Sequence, residues 1–211
     1  RVIDRLKAWF RKPDPITDIA DLSGFLGQRT AFIAQKSTFE YCRMRAGLQW
    51  DKLFLEQAFV DGIERAQWVA FDSVLRSLIT NADTMFVQQN LRIAPDSRLE
   101  FWRGIAADCV AMHPPPPAYA DLMAATPDHV VDRLRQQLAS TPLPPDDVAV
   151  EAGAVIFDVL PIHMEHRQLD RDMVVNNVRL NVMRTHEDLR DRLNTEKMQA
   201  ALDSIAPAPV A

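Results

Sequence analysis

Proline divides this chain more sharply than any other residue. Its fourteen prolines cluster between stretches in which apolar residues recur every three or four positions, the spacing of one helix face. Pro13-Asp14-Pro15, Pro114 to Pro117, and the set Pro142, Pro144 and Pro145 are the main clusters. A proline cannot donate to the helical ladder, so each cluster ends a helix or enforces an extended connector. Only six glycines are present, too few for phosphate-cradling loops or a set of tight β-hairpins. No alternating apolar and polar run bounded by turn residues occurs. Val148-Ala149-Val150 and Met173-Val174-Val175 are short and sit inside helical periodicity. The expected fold is all-α, an irregular or orthogonal bundle of roughly seven to nine helices.

The stripes place those helices. Ile19, Leu22, Phe25, Leu26, Phe32, Ile33, Phe39 and Met44 mark a long helix after Pro15, with Gly47 as its stop. Trp50 to Phe59 reads as a short helix or the entry to the next one, which carries Val60, Ile63, Phe71, Val74, Leu75, Leu78 and Met85 with a break near Asn81. Ser97 and Glu100 have capping-box spacing and open a helix through Trp102, Ile105 and Cys109. Thr126-Pro127-Asp128 reads as a helix start, because proline suits the first turn. Asp146 and Asp147 suit the positive end of a helix that stops before Pro161. A last long helix runs from about Leu169 to Asn194, and a short one reaches Ile205. The organisation expected is a basic helix over 1–12, a first helical half over 16–112 and a second over 118–205, the halves packed as one domain.

Charge singles out the first of these. On a helical wheel Val2, Ile3, Leu6, Trp9 and Phe10 share one face, while Arg5 and Lys7 stand with the other basic residues on the rest. Five basic residues and one acidic residue give segment 1–12 a charge of +4, leaving −9 for the remainder of a chain whose net charge is −5. A short basic helix with Trp and Phe on its apolar side suits an anionic membrane surface or the groove of a protein partner. The acidic remainder argues against nucleic-acid binding. Two cysteines, Cys42 and Cys109, do not make a disulfide framework, and no run of about 18 apolar residues exists. A cytoplasmic protein, peripheral to a membrane at most, is expected. The chain starts at Arg1 rather than Met, which leaves room for residues upstream.

The body offers one polar constellation. The last long helix carries a seam of Val175, Val178, Val182, His186 and Leu189 flanked by Asn177 and Asn181. The helix after Pro15 carries Lys36, Glu40, Tyr41, Arg43 and Arg45. If the two pack together, Glu40, Tyr41, Arg43, Asn177, Asn181 and His186 form one buried network, because buried polar groups need partners. Such a network either fixes helix register or lines a pocket, with Arg43, Asn177 and Asn181 as ligand-binding residues and His186, Glu40 and Tyr41 as the candidates for any catalysis.

Other templates fail. His163-Met164-Glu165-His166 has neither zincin nor inverted-zincin spacing, and only His186 or Asp170 could add a third ligand, so no metal or other cofactor is expected. No Walker loop, nucleophile elbow or dinucleotide fingerprint occurs. The expected function is that of a helical interaction or scaffold protein docking through residues 1–12, more a binder than an enzyme. The alternative is an enzyme or small-ligand binder using the polar constellation.

Overall fold

A computed structural model describes residues 14–141 and 143–205. The basic segment with Val2, Ile3, Arg5, Leu6, Lys7, Trp9 and Phe10 lies outside the described residues. Among the described residues the chain is helical throughout, with a lone parallel bridge between Ile16 and Leu193 in place of strands. Its α-helices are α1 (Ile19–Gln35), α2 (Tyr41–Ala46), α3 (Trp50–Leu53), α4 (Gln57–Gln88), α5 (Arg98–Ala111), α6 (Ala120–Leu138), α7 (Pro145–Val159), α8 (Met164–Arg167), α9 (Arg171–Arg192) and α10 (Thr195–Ile205). A π-helical segment, Lys36–Glu40, joins α1 directly to α2.

The 32-residue α4 is the axis, packing against α1, α6, α7 and α9. Its apolar positions Ala66, Ala70, Val74, Leu75, Ile79 and Ala82 are closed to solvent, and the small residues among them let neighbours approach. One continuous cluster of buried side chains extends from Ile16 to Leu202. The most extensive helix contact is α7 on α9, and it relies on a close approach: a Cβ placed on Gly153 would lie 2.8 Å from the Val175 backbone, so only glycine permits it. The chain leading into α1 is tied to the far end of α9, where Ile16 donates to the Arg192 carbonyl at 2.9 Å and accepts from Asn194 at 2.9 Å. From there α1 and α9 run antiparallel, and this pairing builds the site described below.

Several local expectations give way to tertiary contacts. Asn81 does not break α4; its side-chain amide donates to the Pro145 carbonyl at 3.2 Å and fixes the start of α7. Pro127 sits inside α6 rather than in its first turn. The turns ahead of it hold because Met123 is buried in the core, and the Thr126 hydroxyl bonds the Leu122 carbonyl at 3.1 Å. Ser97 precedes α5 as expected, but its hydroxyl makes no capping bond. Trp102 fills the core, whereas Trp50 is exposed.

The largest correction concerns the register along α1, the π-helical segment and α2. An apolar stripe continued at 3.6 residues per turn would bury Phe32, Phe39 and Met44; instead Phe32 and Met44 are 49% and 53% exposed. The buried positions are Ile33, Ala34, Ser37, Thr38, Tyr41 and Cys42, which step by four throughout. Wider π turns keep residues four apart in line, whereas α-helical turns would let them drift around the axis. The segment thereby brings Tyr41 inward and leaves Arg43 outside.

Candidate functional site

Where the π-helical segment faces α9, the two elements separate around a cleft of about 240 Å³. Lys36, Ser37, Glu40, Tyr41 and Met44 line one wall; Met173, Val174 and Asn177 line the other. The antiparallel order is fixed by bonds along the seam. Lys36 Nζ lies 3.5 Å from Asn181 Oδ1 at one end, and the Tyr41 hydroxyl donates to Asp170 at 2.8 Å at the other. Arg45 pairs with the same carboxylate at 2.7 Å, and its guanidinium also donates to the His166 carbonyl.

Glu40, Tyr41 and Asn177 line this one cleft, but they do not form the expected buried network: Tyr41 is buried, whereas Glu40 and Asn177 are exposed at its mouth. Asn181 is buried beside it, donating to the Asn177 carbonyl at 2.7 Å and to Asn177 Oδ1 at 3.2 Å. Arg43 is exposed and outside the lining, and Arg45 holds the seam in its place. His186 is absent from the lining as well. Five residues beyond Asn181, it lies about 140° around α9 at about 100° per residue, so it points away from α1. Its Nδ1 is buried without a partner, and burial, with Arg190 nearby, holds its pKa below the usual histidine value.

The chemistry of the lining is that of holding rather than reacting. Burial, reinforced by the bond to Asp170, pushes the Tyr41 phenol up to about 12, so it stays protonated and serves as a donor. Ser37 is 5% exposed, and its hydroxyl has no hydrogen-bond partner. No base is hydrogen-bonded to it, so it is not placed as an activated nucleophile. Cys42, buried behind the cleft, is pushed up to about 12 by desolvation, partly offset by Arg167; Cys109 is likewise pushed up to about 12 by burial. Both thiols are inert core groups.

A second polar cleft escaped the sequence reading. Between α4, α6 and α7, Asp72, Arg76, His129, Asp132, Arg133, Gln136 and Glu151 line about 260 Å³. Asp72 is buried and meets His129 Nδ1 at 2.8 Å, while Arg76 reaches Asp72 at 3.3 Å and Glu151 at 3.1 Å. Arg133 adds a contact to Glu151 at 3.4 Å. No spacing in one sequence announces a pair 57 residues apart on separate helices. His163 and His166 are exposed, and no group of three or more potential ligands among the described residues could hold a metal ion. No helix among them is long and apolar enough to cross a membrane.

Compared with protein-family models, with curated proteins and with solved structures, the chain matches none.

Proposed function

We propose that the protein binds a small organic ligand in the cleft between the π-helical segment and α9. The observation that carries this reading is Ser37, a buried residue of the cleft lining whose hydroxyl has no partner. A buried hydroxyl left unanswered costs about 1–3 kcal/mol, and such a cost recurs where a bound molecule supplies the missing bond. The setting agrees. The cleft has an apolar floor of Met44, Met173 and Val174 with a few convergent polar groups, the usual make-up of a ligand pocket. A π-helical turn inside an α-helix, as at Lys36–Glu40, frequently marks a functional position. The absence of an activated nucleophile in the lining favours a binder over an enzyme.

Ligand-observed NMR of the full chain against a library of small fragments tests the reading. Binding fragments are expected, and their signals disappear in Asn177→Trp, which fills the cleft from its exposed rim. Fragments that bind the variant equally well place any binding elsewhere and contradict the proposal.

A second reading keeps the interaction role. Leu48, Leu55 and Leu169 are fully or nearly fully exposed, and Arg45 ties the α2–α3 region to the segment from His166 to Asp170, so these leucines decorate one end of the bundle. The basic segment 1–12 joins the body at Asp14, whose carbonyl accepts from Arg192 Nε at 2.9 Å, at the opposite end of α9. Docking of that segment to an anionic membrane surface is tested by co-sedimentation with phosphatidylserine vesicles. Removal of residues 1–12 is expected to abolish sedimentation and leave the cooperative unfolding of the body intact. Sedimentation that survives the deletion transfers the role to the leucine-bearing end, and none from the intact chain leaves a protein partner as the target.

A further inference from the structure

The order of groups along the cleft says more about its ligand than their number does. Resting on the ligand-site reading above, the geometry points to a small zwitterion with an apolar body, in chemical terms a free apolar α-amino acid.

The first observation is an unpaired pair of opposite charges. Lys36 and Glu40 both line the cleft, four residues apart on the same wall. In an α-helix that spacing favours an ion pair, yet here no salt bridge joins them. Lys36 Nζ turns instead toward the Phe32 ring, at 5.4 Å from its centroid, and to a long 3.5 Å contact with Asn181. The Glu40 carboxylate has no hydrogen bond or ion pair among the described residues. The intervening turn is π-helical, which alters the register on which an i,i+4 pair depends. One cation and one anion are thus held at a single cleft without neutralising each other.

The second observation is sequence along the seam. Lys36 and the unpartnered hydroxyl of buried Ser37 stand at the end nearest Asn181. Glu40 and Asn177 come next, and Met44, Met173 and Val174 close the other end toward Asp170. Positions 36, 40 and 44 follow one another along the axis, and the long side chains of Lys36 and Glu40 can converge on neighbouring atoms. A carboxylate at Lys36, an ammonium at Glu40 and Asn177, and an apolar side chain against the methionines match the three groups that an α-amino acid carries on one carbon. Each charged contact is a charge-assisted hydrogen bond, the kind that discriminates most strongly against a ligand lacking its group.

Size and plasticity narrow the class. At about 240 Å³ the cleft is below the roughly 300–1,000 Å³ of drug and cofactor pockets, which favours a small ligand. Two methionines in the apolar part adapt to unbranched and branched side chains alike. Leucine and methionine are therefore expected to bind comparably.

Isothermal titration of the full chain with L-leucine, with 4-methylpentanoate, which lacks the ammonium, and with 3-methylbutylamine, which lacks the carboxylate, tests the inference. Leucine is expected to bind at least about ten-fold more tightly than either analogue, the value of one charge-assisted bond. Lys36→Met is expected to lower leucine to the affinity of the amine, and Glu40→Gln to lower it to that of the carboxylate. An analogue that matches leucine on the native chain overturns the zwitterion and leaves the ligand site standing. Leucine binding that persists in Asn177→Trp removes both readings. No binding by any of the three probes overturns the zwitterion alone, because the fragment spectra judge the ligand site separately.

Discussion

Two clefts of nearly equal volume open on this bundle, and they treat charge in opposite ways. In the cleft between α4, α6 and α7, each basic side chain contacts a carboxylate: His129 and Arg76 converge on Asp72, and Arg76 and Arg133 converge on Glu151. In the cleft between the π-helical segment and α9, Lys36 and Glu40 stand apart and Ser37 has no partner. The first holds more titratable side chains and would attract attention on count alone. The second has groups to spare. Availability of polar groups, rather than their number, separates a site that can receive a ligand from one that cross-links helices.

Substitutions should break the two clefts differently. The largest effect is expected in the paired cleft. Asp72→Ala strips His129 and Arg76 of a buried acceptor and should lower stability by about 2–4 kcal/mol, read as a shift in the urea midpoint at unchanged slope. Loss of under about 0.5 kcal/mol would place Asp72 among surface pairs and weaken the contrast.

Next comes the rim of the open cleft, where Tyr41 anchors on Asp170. Tyr41→Phe should cost about 1 kcal/mol at neutral pH, the value of one hydrogen bond. The native phenol titrates near 12 against 10 in the unfolded chain. The folded state therefore holds the proton more firmly, and stability falls as pH rises from 10 toward 12. The phenylalanine variant should lack this part of the alkaline decline, as unfolding at a series of pH values would reveal.

A smaller effect concerns His186, whose folded pKa lies below its ordinary value of 6.5 because of burial. The unfolded chain then binds the extra proton first, so this histidine favours the folded state fully above about pH 6.5 and withdraws that support as pH falls. His186→Gln should flatten the acid side of the stability profile. Because His186 faces away from the cleft, the same substitution should leave ligand affinity untouched. A change in affinity would return His186 to the seam.

How much of this was legible follows from which forces write themselves locally. The all-α fold was legible because proline clusters and three-to-four spacing act within a few residues. The meeting of Glu40 and Tyr41 with Asn177 was legible because both helices carry polar residues beside their apolar stripes, but the expected burial of Glu40 and Asn177 was not, since the elements separate there into an open cleft. Arg43 and His186 were misplaced for separate reasons. The π-helical segment shifts the register after Lys36 and has no compositional mark. On α9, a seam step from Val182 to His186 looks continuous in sequence but turns away from α1. Asp72 and His129 were invisible, since their pairing depends on how α4 and α6 cross.

One measurement separates a binding cleft from a register-fixing network most directly: urea unfolding of the triple variant Lys36→Met, Ser37→Ala, Glu40→Gln. A binding cleft requires the groups facing it to be dispensable for folding. The variant should therefore unfold within about 1 kcal/mol of the native chain, with removal of the unpartnered Ser37 hydroxyl tending to stabilise it. A loss of more than about 3 kcal/mol would mean that these side chains hold α1 against α9, and would contradict the ligand site.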